Sequence, residues 1–141
     1  HMISTSDCGN RFDIHPKNKQ PIGIRMALSA RQHVYEEAVQ GDAPVAVEMK
    51  VQDKQICIRF DNAVSLHLEG QELQELEIYT GEEKCEITGW SVNEDTLTVF
   101  IKEAIISNEI TAVFAQTPYY QVSLFNENGL PAFPFILQKR I

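Results

Sequence analysis

The chain has 141 residues, of which 43% are hydrophobic, and it carries a formal net charge of −8. This length favours a single domain with a core of useful size, and no apolar run is long enough to cross a membrane. The charge is unevenly divided, because residues 1–41 carry a net charge of +1 and residues 42–141 carry −9. The acidic second part argues against a nucleic-acid backbone as partner, and we expect neither nucleic acid nor a membrane to bind.

The first part of the chain is predicted to be a loop followed by one helix. His1 and Met2 are typical of a cloning remnant and are left out of the fold interpretation. Residues 3–20 lack periodicity and are rich in Ser, Asn, Asp and Lys, which predicts a loop. A helix is predicted from Pro21 to about Val39, because proline suits a first turn and apolar residues follow at helical spacing. Gly41 then supplies a stop, and the run GDAP that begins there is the clearest boundary in the chain.

After this boundary the hydrophobic period changes from that of a helix to that of a strand. The alternating runs Val45–Val51 and Ile56–Phe60 predict a hairpin. Further short alternations follow at Val64–Leu68, Leu76–Ile78, Cys85–Ile87, Leu97–Ile101, Ile110–Phe114, Val122–Leu124 and Phe133–Leu137. The last run contains Pro134 and is therefore expected at a sheet edge. Roughly eight short strands predict a mainly β fold, an antiparallel β-sandwich with jelly-roll-like or immunoglobulin-like topology.

The cysteines and the scattered histidines predict no metal site and no disulfide framework. Cys8, Cys57 and Cys85 are odd in number and lack C-x-x-C spacing. Cys57 and Cys85 fall in strand-like runs, where a small buried thiol is the usual outcome, and Cys8 is a weak candidate nucleophile. His33 and His67 have no partners at ligand spacing, so we expect them on the surface and expect no cofactor.

Three aromatic residues, Trp90, Tyr119 and Tyr120, have two interpretations. Their rings suit a platform on which sugar rings stack. Aromatic residues more often cap the core of a sandwich, and that alternative stays open.

The loop before the helix pairs a carboxylate with a histidine in Asp13-Ile14-His15-Pro16. A histidine that acts as a general base needs its second ring nitrogen held by an acceptor, usually a carboxylate. Asp13, two positions away on a turn, meets that need, and Pro16 keeps His15 out of the helical conformation. A lone D-x-H in a loop is nevertheless more often a solvated turn.

The longer string around this pair favours the catalytic interpretation. Asp7-x-Gly9, followed after a short gap by DIHPKNKQPIGIRMA, resembles the last conserved block of the sialate O-acetylesterase family, which are SGNH-type serine esterases. Near the other end, LFNENGLPAFPF resembles the closing N-x-x-G-L-P-A-x-P-F signature of that family. The resemblance implies that His15 is the catalytic base and that a β-sandwich follows the hydrolase domain.

The chain also departs from the family. The G-x-S block with the nucleophile and the oxyanion-hole Gly and Asn blocks have no counterpart in it. In the common SGNH pattern the aspartate stands three residues before the histidine, where this chain has Phe12. Some members carry the acid at the nearer place, where this chain has Asp13. The motif therefore supports a catalytic role for His15 directly and for Asp13 only in part.

These features together predict the C-terminal fragment of a longer carbohydrate O-acetylesterase. Residues 3–41 would be the tail of the hydrolase domain and residues 44–141 an accessory β-sandwich. Its partners would be an O-acetylated sugar, the missing N-terminal hydrolase portion, and a second copy bound through the apolar stripe of Ile24, Leu28 and Val34. This chain alone is expected to be inactive, and the resemblance implies a periplasmic or extracellular location. The alternative is a non-catalytic β-sandwich module that binds glycan or only stabilises its neighbour.

Overall fold

A computed structural model describes residues 1–13, 15, 17–70, 72–105 and 108–141. Within these ranges the chain forms one helix, α1 (Gln20–His33), followed by ten strands. The strands are β1 (Val45–Gln52), β2 (Gln55–Asp61), β3 (His67–Leu68), β4 (Leu76–Thr80), β5 (Glu83–Lys84), β6 (Ile87–Asn93), β7 (Thr96–Ile101), β8 (Glu109–Phe114), β9 (Leu124–Phe125) and β10 (Phe135–Arg140). In the described parts of the chain, no helix is long and apolar enough to span a lipid bilayer.

The strands form a β-sandwich, as the sequence predicts. One sheet has the order β1-β2-β7-β6, the other has the order β10-β8-β4-β5, and β3 and β9 form a small separate ladder. All pairings between these strands are antiparallel. Alternate residues of both sheets are buried in one apolar cluster, as expected when two sheets share a core. The largest members include Ile56, Phe60 and Leu97 from one sheet and Ile78, Ile110 and Phe114 from the other.

Several strand boundaries differ from the predicted ones, and two of the differences change how a run contributes to the fold. The predicted run around Leu66 contributes only the two-residue strand β3, and the run around Cys85 is divided between β5 and β6. The second difference has a topological cause, because β5 belongs to one sheet and β6 to the other. Cys85 is buried at this crossing, and its backbone N–H donates to the carbonyl of Ile78. The predicted edge position of the last strand is confirmed, since β10 lies at the end of its sheet.

The helix ends earlier than predicted. It stops at His33, not near Val39, with Val34 as its C-cap, and Glu36 two residues further on has a left-handed φ of 55° that does not continue a helix. The predicted apolar stripe is also not core, since Ile24 and Val34 are exposed. The one buried residue of the helix is Arg25, which the periodicity did not select.

Gly41 has a different role from the predicted helix stop. A Cβ atom added there would lie 2.5 Å from the carbonyl oxygen of Leu28, so only glycine lets the helix backbone approach this closely. Hydrogen bonds from Gln32 to Asp42 and from the Gly41 N–H to Gln32, at 3.3 and 2.6 Å, hold the same contact. The helix therefore lies on the loop that connects it to β1.

Candidate functional site

The loop that carries Asp13 and His15 is shaped by short polar side chains. Asn10, Asp13 and Asn18 each accept a hydrogen bond from the backbone N–H two residues further on, at 2.9, 2.9 and 3.1 Å. This Asx-turn pattern is the usual way in which Asn and Asp fold a loop without secondary structure. Lys19, the N-cap residue of α1, makes no side-chain capping hydrogen bond. Asn18 takes over this role and accepts the first backbone N–H of the helix.

The structure brings Asp13 and His15 together, as the sequence predicts. Nδ1 of His15 lies 3.4 Å from Oδ1 of Asp13, longer than the usual range for an N–H···O hydrogen bond. The same oxygen accepts the backbone N–H of His15, so the carboxylate has a structural task in the turn. The imidazole is 84% exposed and is therefore open to groups from outside this loop. Ile14 and Pro16, which the sequence analysis placed in this loop, lie outside the described residues.

A bidentate ion pair fastens this loop to the helix. Nη1 and Nη2 of Arg25 each donate to a carboxylate oxygen of Asp7 at 2.6 Å. The side chain of Arg25 is only 6% exposed and that of Asp7 is 24% exposed. Nη1 of Arg25 also donates to the backbone carbonyl of Ser4 at 3.0 Å, so the guanidinium organises the start of the chain. Two parallel charge-assisted hydrogen bonds fix direction as well as distance.

The ion pair shifts the acidity of the groups around it. Burial alone raises the pKa of the Asp7 carboxyl, but the hydrogen bonds and charge of Arg25 outweigh burial and hold this pKa below its ordinary value. For Cys8, burial and the nearby Asp7 charge raise the pKa of the thiol. A thiol with a raised pKa is a poor nucleophile, which argues against the catalytic candidate at Cys8.

The closing motif near residue 129 reaches the same helix. Nη2 of Arg25 lies 3.4 Å from the carbonyl oxygen of Gly129, so the two motif blocks meet at this guanidinium. The turn itself is built on Asn126, which is fully buried. Its Oδ1 accepts the N–H groups of Asn128 and Leu130, and its Nδ2 donates to the carbonyl of Asn62. The closing motif is thus a structural support for the loop and helix.

Sequence reasoning missed both Arg25 and Asn126. Arg25 stands among apolar residues of the predicted helix, where an arginine is normally assigned to the exposed face. A signal was present, because Asp7 and Arg25 both belong to the motif block that precedes and includes the helix. Asn126 belongs to the closing motif, but the motif by itself assigns it no structural role. A single sequence gives no sign that its amide is buried.

His33 is more enclosed than predicted. Its Nε2 lies 2.8 Å from Oδ1 of Asp42, and its ring stacks on that of His1 with centroids 3.5 Å apart. His1, His33 and Asp42 have ligand atoms within 4.8 Å of one another, a grouping that the sequence analysis did not find. Without His1, which is interpreted as a cloning remnant, two ligands remain, fewer than the three that protein metal sites usually supply. His67 is exposed on β3, as predicted.

Of the three aromatic residues, Tyr119 and Tyr120 line one groove, and Trp90 is not among the residues that line it. Trp90 lies on β6 and packs against the core, and Tyr120 is also partly buried there. Tyr119, which is 38% exposed, lines an open groove of about 710 Å³ together with Arg11, Gln74 and Gln121. A second groove of about 580 Å³ shares Gln74, Tyr119 and Gln121 with the first and extends to Asp7. We refer to the two together as the Tyr119 groove.

The Tyr119 groove lies between the loop of the candidate histidine and the sandwich. One wall comes from the N-terminal loop through Asp7, Gly9 and Arg11. The opposite wall comes from residues 117–123, which follow β8, and from Glu69, Gly70, Gln74 and Glu75, which precede β4. The volume of each of the two parts, about 710 and 580 Å³, falls in the range of small-molecule sites, about 300–1,000 Å³.

The fold and site together define an antiparallel β-sandwich with a preceding loop and helix that present an exposed histidine. A solved structure with this fold is a carbohydrate acetylesterase from Xanthomonas citri, which matches 93% of this chain with a TM-score of 0.79 and 26% sequence identity. The match covers 31% of that protein's chain, so this chain corresponds to a part of it. No family model matches the chain, and no curated protein matches it significantly. The similarity supports a relationship with carbohydrate esterases and does not single out sialate O-acetylesterases.

Proposed function

We propose that this chain is the histidine-bearing part of a carbohydrate O-acetylesterase. The observation that carries the proposal is the similarity of nearly the whole chain to an acetylesterase of that class at 26% identity. The exposed His15 adds to it, because a catalytic base must be reached by the nucleophile and the substrate. The division into a hydrolase tail, residues 3–41, and a sandwich, residues 44–141, is part of the same proposal.

The reaction would be acyl transfer in two steps. A serine from a hydrolase portion outside this chain attacks the acetyl carbonyl while His15 takes the serine proton, and His15 then gives this proton to the departing sugar oxygen. Water next attacks the acetyl-serine, His15 accepts a proton from the water, and acetate leaves as the proton returns to serine. Oxyanion-hole donors would also come from outside this chain.

Asp13 would act by holding the imidazole of His15. Its Oδ1 lies 3.4 Å from Nδ1, and catalytic hydrogen bonds are often longer in a free enzyme than in its substrate complex. The backbone N–H of His15 already occupies the same oxygen. We therefore assign Asp13 a smaller share of the activity than His15.

The substrate would be an O-acetylated sugar. Sialic acid is the particular sugar implied by the motif resemblance around His15 and by the closing motif at 124–135. The similar solved structure is described only as a carbohydrate acetylesterase. We therefore propose the acetyl ester of a sugar as the reacting group, with O-acetyl sialic acid as the narrower form of the proposal.

A second candidate function is a glycan-binding module without catalysis. The Tyr119 groove favours it, because the groove lies largely on the sandwich and does not include His15 among its lining residues. Under this alternative the resemblance around His15 would have no chemical role.

The two functions are separated by acetate release. We expect the intact protein that contains this chain to release acetate from acetylated oligosaccharides and from p-nitrophenyl acetate. The 141-residue chain by itself should release none, because the nucleophile and the oxyanion donors supply most of acyl-transfer catalysis. An intact protein without acetate release would favour the binding module. Turnover by this chain alone, lost in His15→Ala, would show that the nucleophile does not lie outside it.

A further inference from the structure

We propose that the Tyr119 groove is a subsite for uncharged sugar residues of an oligosaccharide. The inference extends the proposed function, because it names the part of the substrate that lies beside the ester processed at His15. It concerns binding only and includes no chemical step. Three properties of the groove carry it: the chemistry of its side chains, its preformed walls and its charge.

The side chains of the groove match the two faces of a sugar ring. Tyr119 offers an exposed aromatic ring for the C–H face of a pyranose. Gln74 and Gln121 offer amides that both donate and accept, which suits pairs of neighbouring hydroxyl groups. These two amides have no side-chain hydrogen bond to any other described residue, so they are available to a ligand. An aromatic face with a few polar groups around it is typical of small-molecule sites.

The walls of the groove are held by hydrogen bonds before any ligand arrives. Ser123, which is buried, accepts the backbone N–H of Gln74 at its Oγ and the N–H of Glu69 at its carbonyl, at 3.2 and 2.8 Å. Thr117 Oγ1 donates to the carbonyl of Tyr119 at 2.9 Å and holds the backbone of the residue that carries the ring. A preformed site loses less conformational entropy on binding than a flexible one.

The charge of the groove disfavours acidic sugars. Its lining includes the carboxylates of Glu69 and Glu75 and one cation, Arg11. Asp7 also reaches the groove, but Arg25 neutralises it. The remaining charge is negative, and a negative wall repels the carboxylate of a sialylated ligand. The groove therefore suits neutral sugars, and a sialic acid, if it is the acetylated unit, would lie outside it.

The position of the groove links it to the candidate catalytic loop. Arg11 and Gly9 line it and belong to the same loop as His15. The Asp7–Arg25 pair fastens that loop to the helix. A sugar chain bound along the groove would therefore run beside the loop that presents the imidazole.

The test is a titration of this chain followed by backbone NMR. The probes are neutral tetrasaccharides built from glucose, xylose, mannose or galactose, together with the matched pair lactose and 3′-sialyllactose. At least one neutral tetrasaccharide should shift the amide signals of Gln74, Tyr119 and Gln121 at millimolar concentration. Lactose should bind more tightly than 3′-sialyllactose, and the difference should shrink with added salt because charge repulsion is screened.

Variants assign the binding to the groove. Tyr119→Ala and Gln121→Ala should each weaken binding at least tenfold, whereas Tyr35→Ala, which removes an exposed tyrosine outside the groove, should not change it. The spectra report at the same time that each variant is folded. No shift in the groove with any neutral sugar at tens of millimolar would overturn the proposal, as would unchanged binding by both groove variants or tighter binding of the sialylated probe.

The outcome is independent of the proposed esterase activity. Sugar binding by this chain needs no nucleophile, and hydrolysis of p-nitrophenyl acetate by the intact protein needs no sugar subsite. Activity on the aryl ester without sugar binding would remove the subsite alone. Sugar binding without any acetate release would leave the subsite and remove the esterase.

Discussion

Arg25 is the buried residue of a helix in which the apolar side chains of Ile24 and Met26 are exposed. A buried guanidinium is tolerated only when its donors are paired, and here Asp7, Ser4 and Gly129 all accept from it. The sequence indicated that Asp13 and His15 lie close together, because that proximity is local to one turn. It could not show the pairing of Arg25 with Asp7 or Gly129, which depends on how the loop, helix and sandwich meet.

The buried ion pair of Asp7 and Arg25 should contribute much more to the free energy of unfolding than an exposed ion pair with the same donor–acceptor distance. Asp7→Asn leaves the guanidinium without its counter-charge, and we expect the free energy of unfolding to fall by about 3 kcal/mol. Glu37→Gln is the matched control, because Arg31 and Glu37 also meet at 2.6 Å but are 48% and 44% exposed. It should cost less than about 1 kcal/mol. Urea denaturation measures both, and equal losses would contradict the role assigned to Asp7.

The same pair predicts a pH dependence. The pKa of Asp7 is lowered in the folded chain, so its stabilising contribution is complete above the unfolded value of about 3.9 and is lost as pH falls through the folded value. The difference in unfolding free energy between wild type and Asp7→Asn should be constant from about pH 7 to 5 and shrink below about pH 4. Urea curves at several pH values test this. A difference that stays constant down to about pH 2 would show that the Asp7 charge does not stabilise the fold.

At the scale of elements, the strands were easier to predict than the helix. Alternating apolar residues such as those of β2 and β7 face one shared core, so period and burial coincide. The helix does not follow this rule, because its inner face contacts the polar loop around Gly41 and Asp42. The helix is also shorter than predicted. The prediction was too long because the apolar residues beyond His33 continue the helical spacing in the sequence. The small strands β3 and β9 pair with each other although they lie far apart in sequence, whereas β5 pairs with its sequence neighbour β4.

Two glycines should respond oppositely to a single added methyl group. Gly41→Ala would force apart the helix and the loop at Leu28, and we expect a loss of about 1–3 kcal/mol of unfolding free energy. Gly23→Ala lies within the helix with no atom within 4 Å of the added Cβ, and it should stabilise by about 0.5–1 kcal/mol. Thermal or urea denaturation of the two variants is sufficient. A neutral Gly41→Ala would mean that the helix does not dock on this loop.

The outer face of the helix should promote self-association. Met26, Ala30 and Val34 recur at helical spacing and, with Ile3, line a shallow, mostly apolar groove of about 380 Å³. We predict that the isolated chain dimerises through this face, because exposed apolar surface is costly and two-fold pairing is the commonest self-association. Sedimentation should show a dimer at tens of micromolar that Met26→Glu disrupts. Val64→Glu, at a residue of the sandwich that is even more exposed than Met26, should not. A monomer under these conditions would exclude the interface.

In the whole molecule, the two motif blocks contact each other and support the same loop and helix. The block that contains His15 and the closing block at 124–135 lie at opposite ends of the chain and meet where Arg25 reaches Gly129. The sequence indicated the class of fold and a relationship to esterases, and the role of His15 as the catalytic base stays a prediction. The Tyr119 groove could not be predicted in the same way, because its walls come from three separate segments that only the folded chain brings together.

The most direct test of the account is the kcat of the intact protein for p-nitrophenyl acetate after substitution of His15. His15→Ala should lower kcat by at least about a thousandfold, because no other group would take the serine proton. Asp13→Ala should lower kcat much less, and His67→Ala, which removes an exposed histidine of the sandwich, should leave it unchanged. Wild-type kcat in His15→Ala, or a loss in Asp13→Ala as large as that in His15→Ala, would contradict the assignment of His15 as the catalytic base.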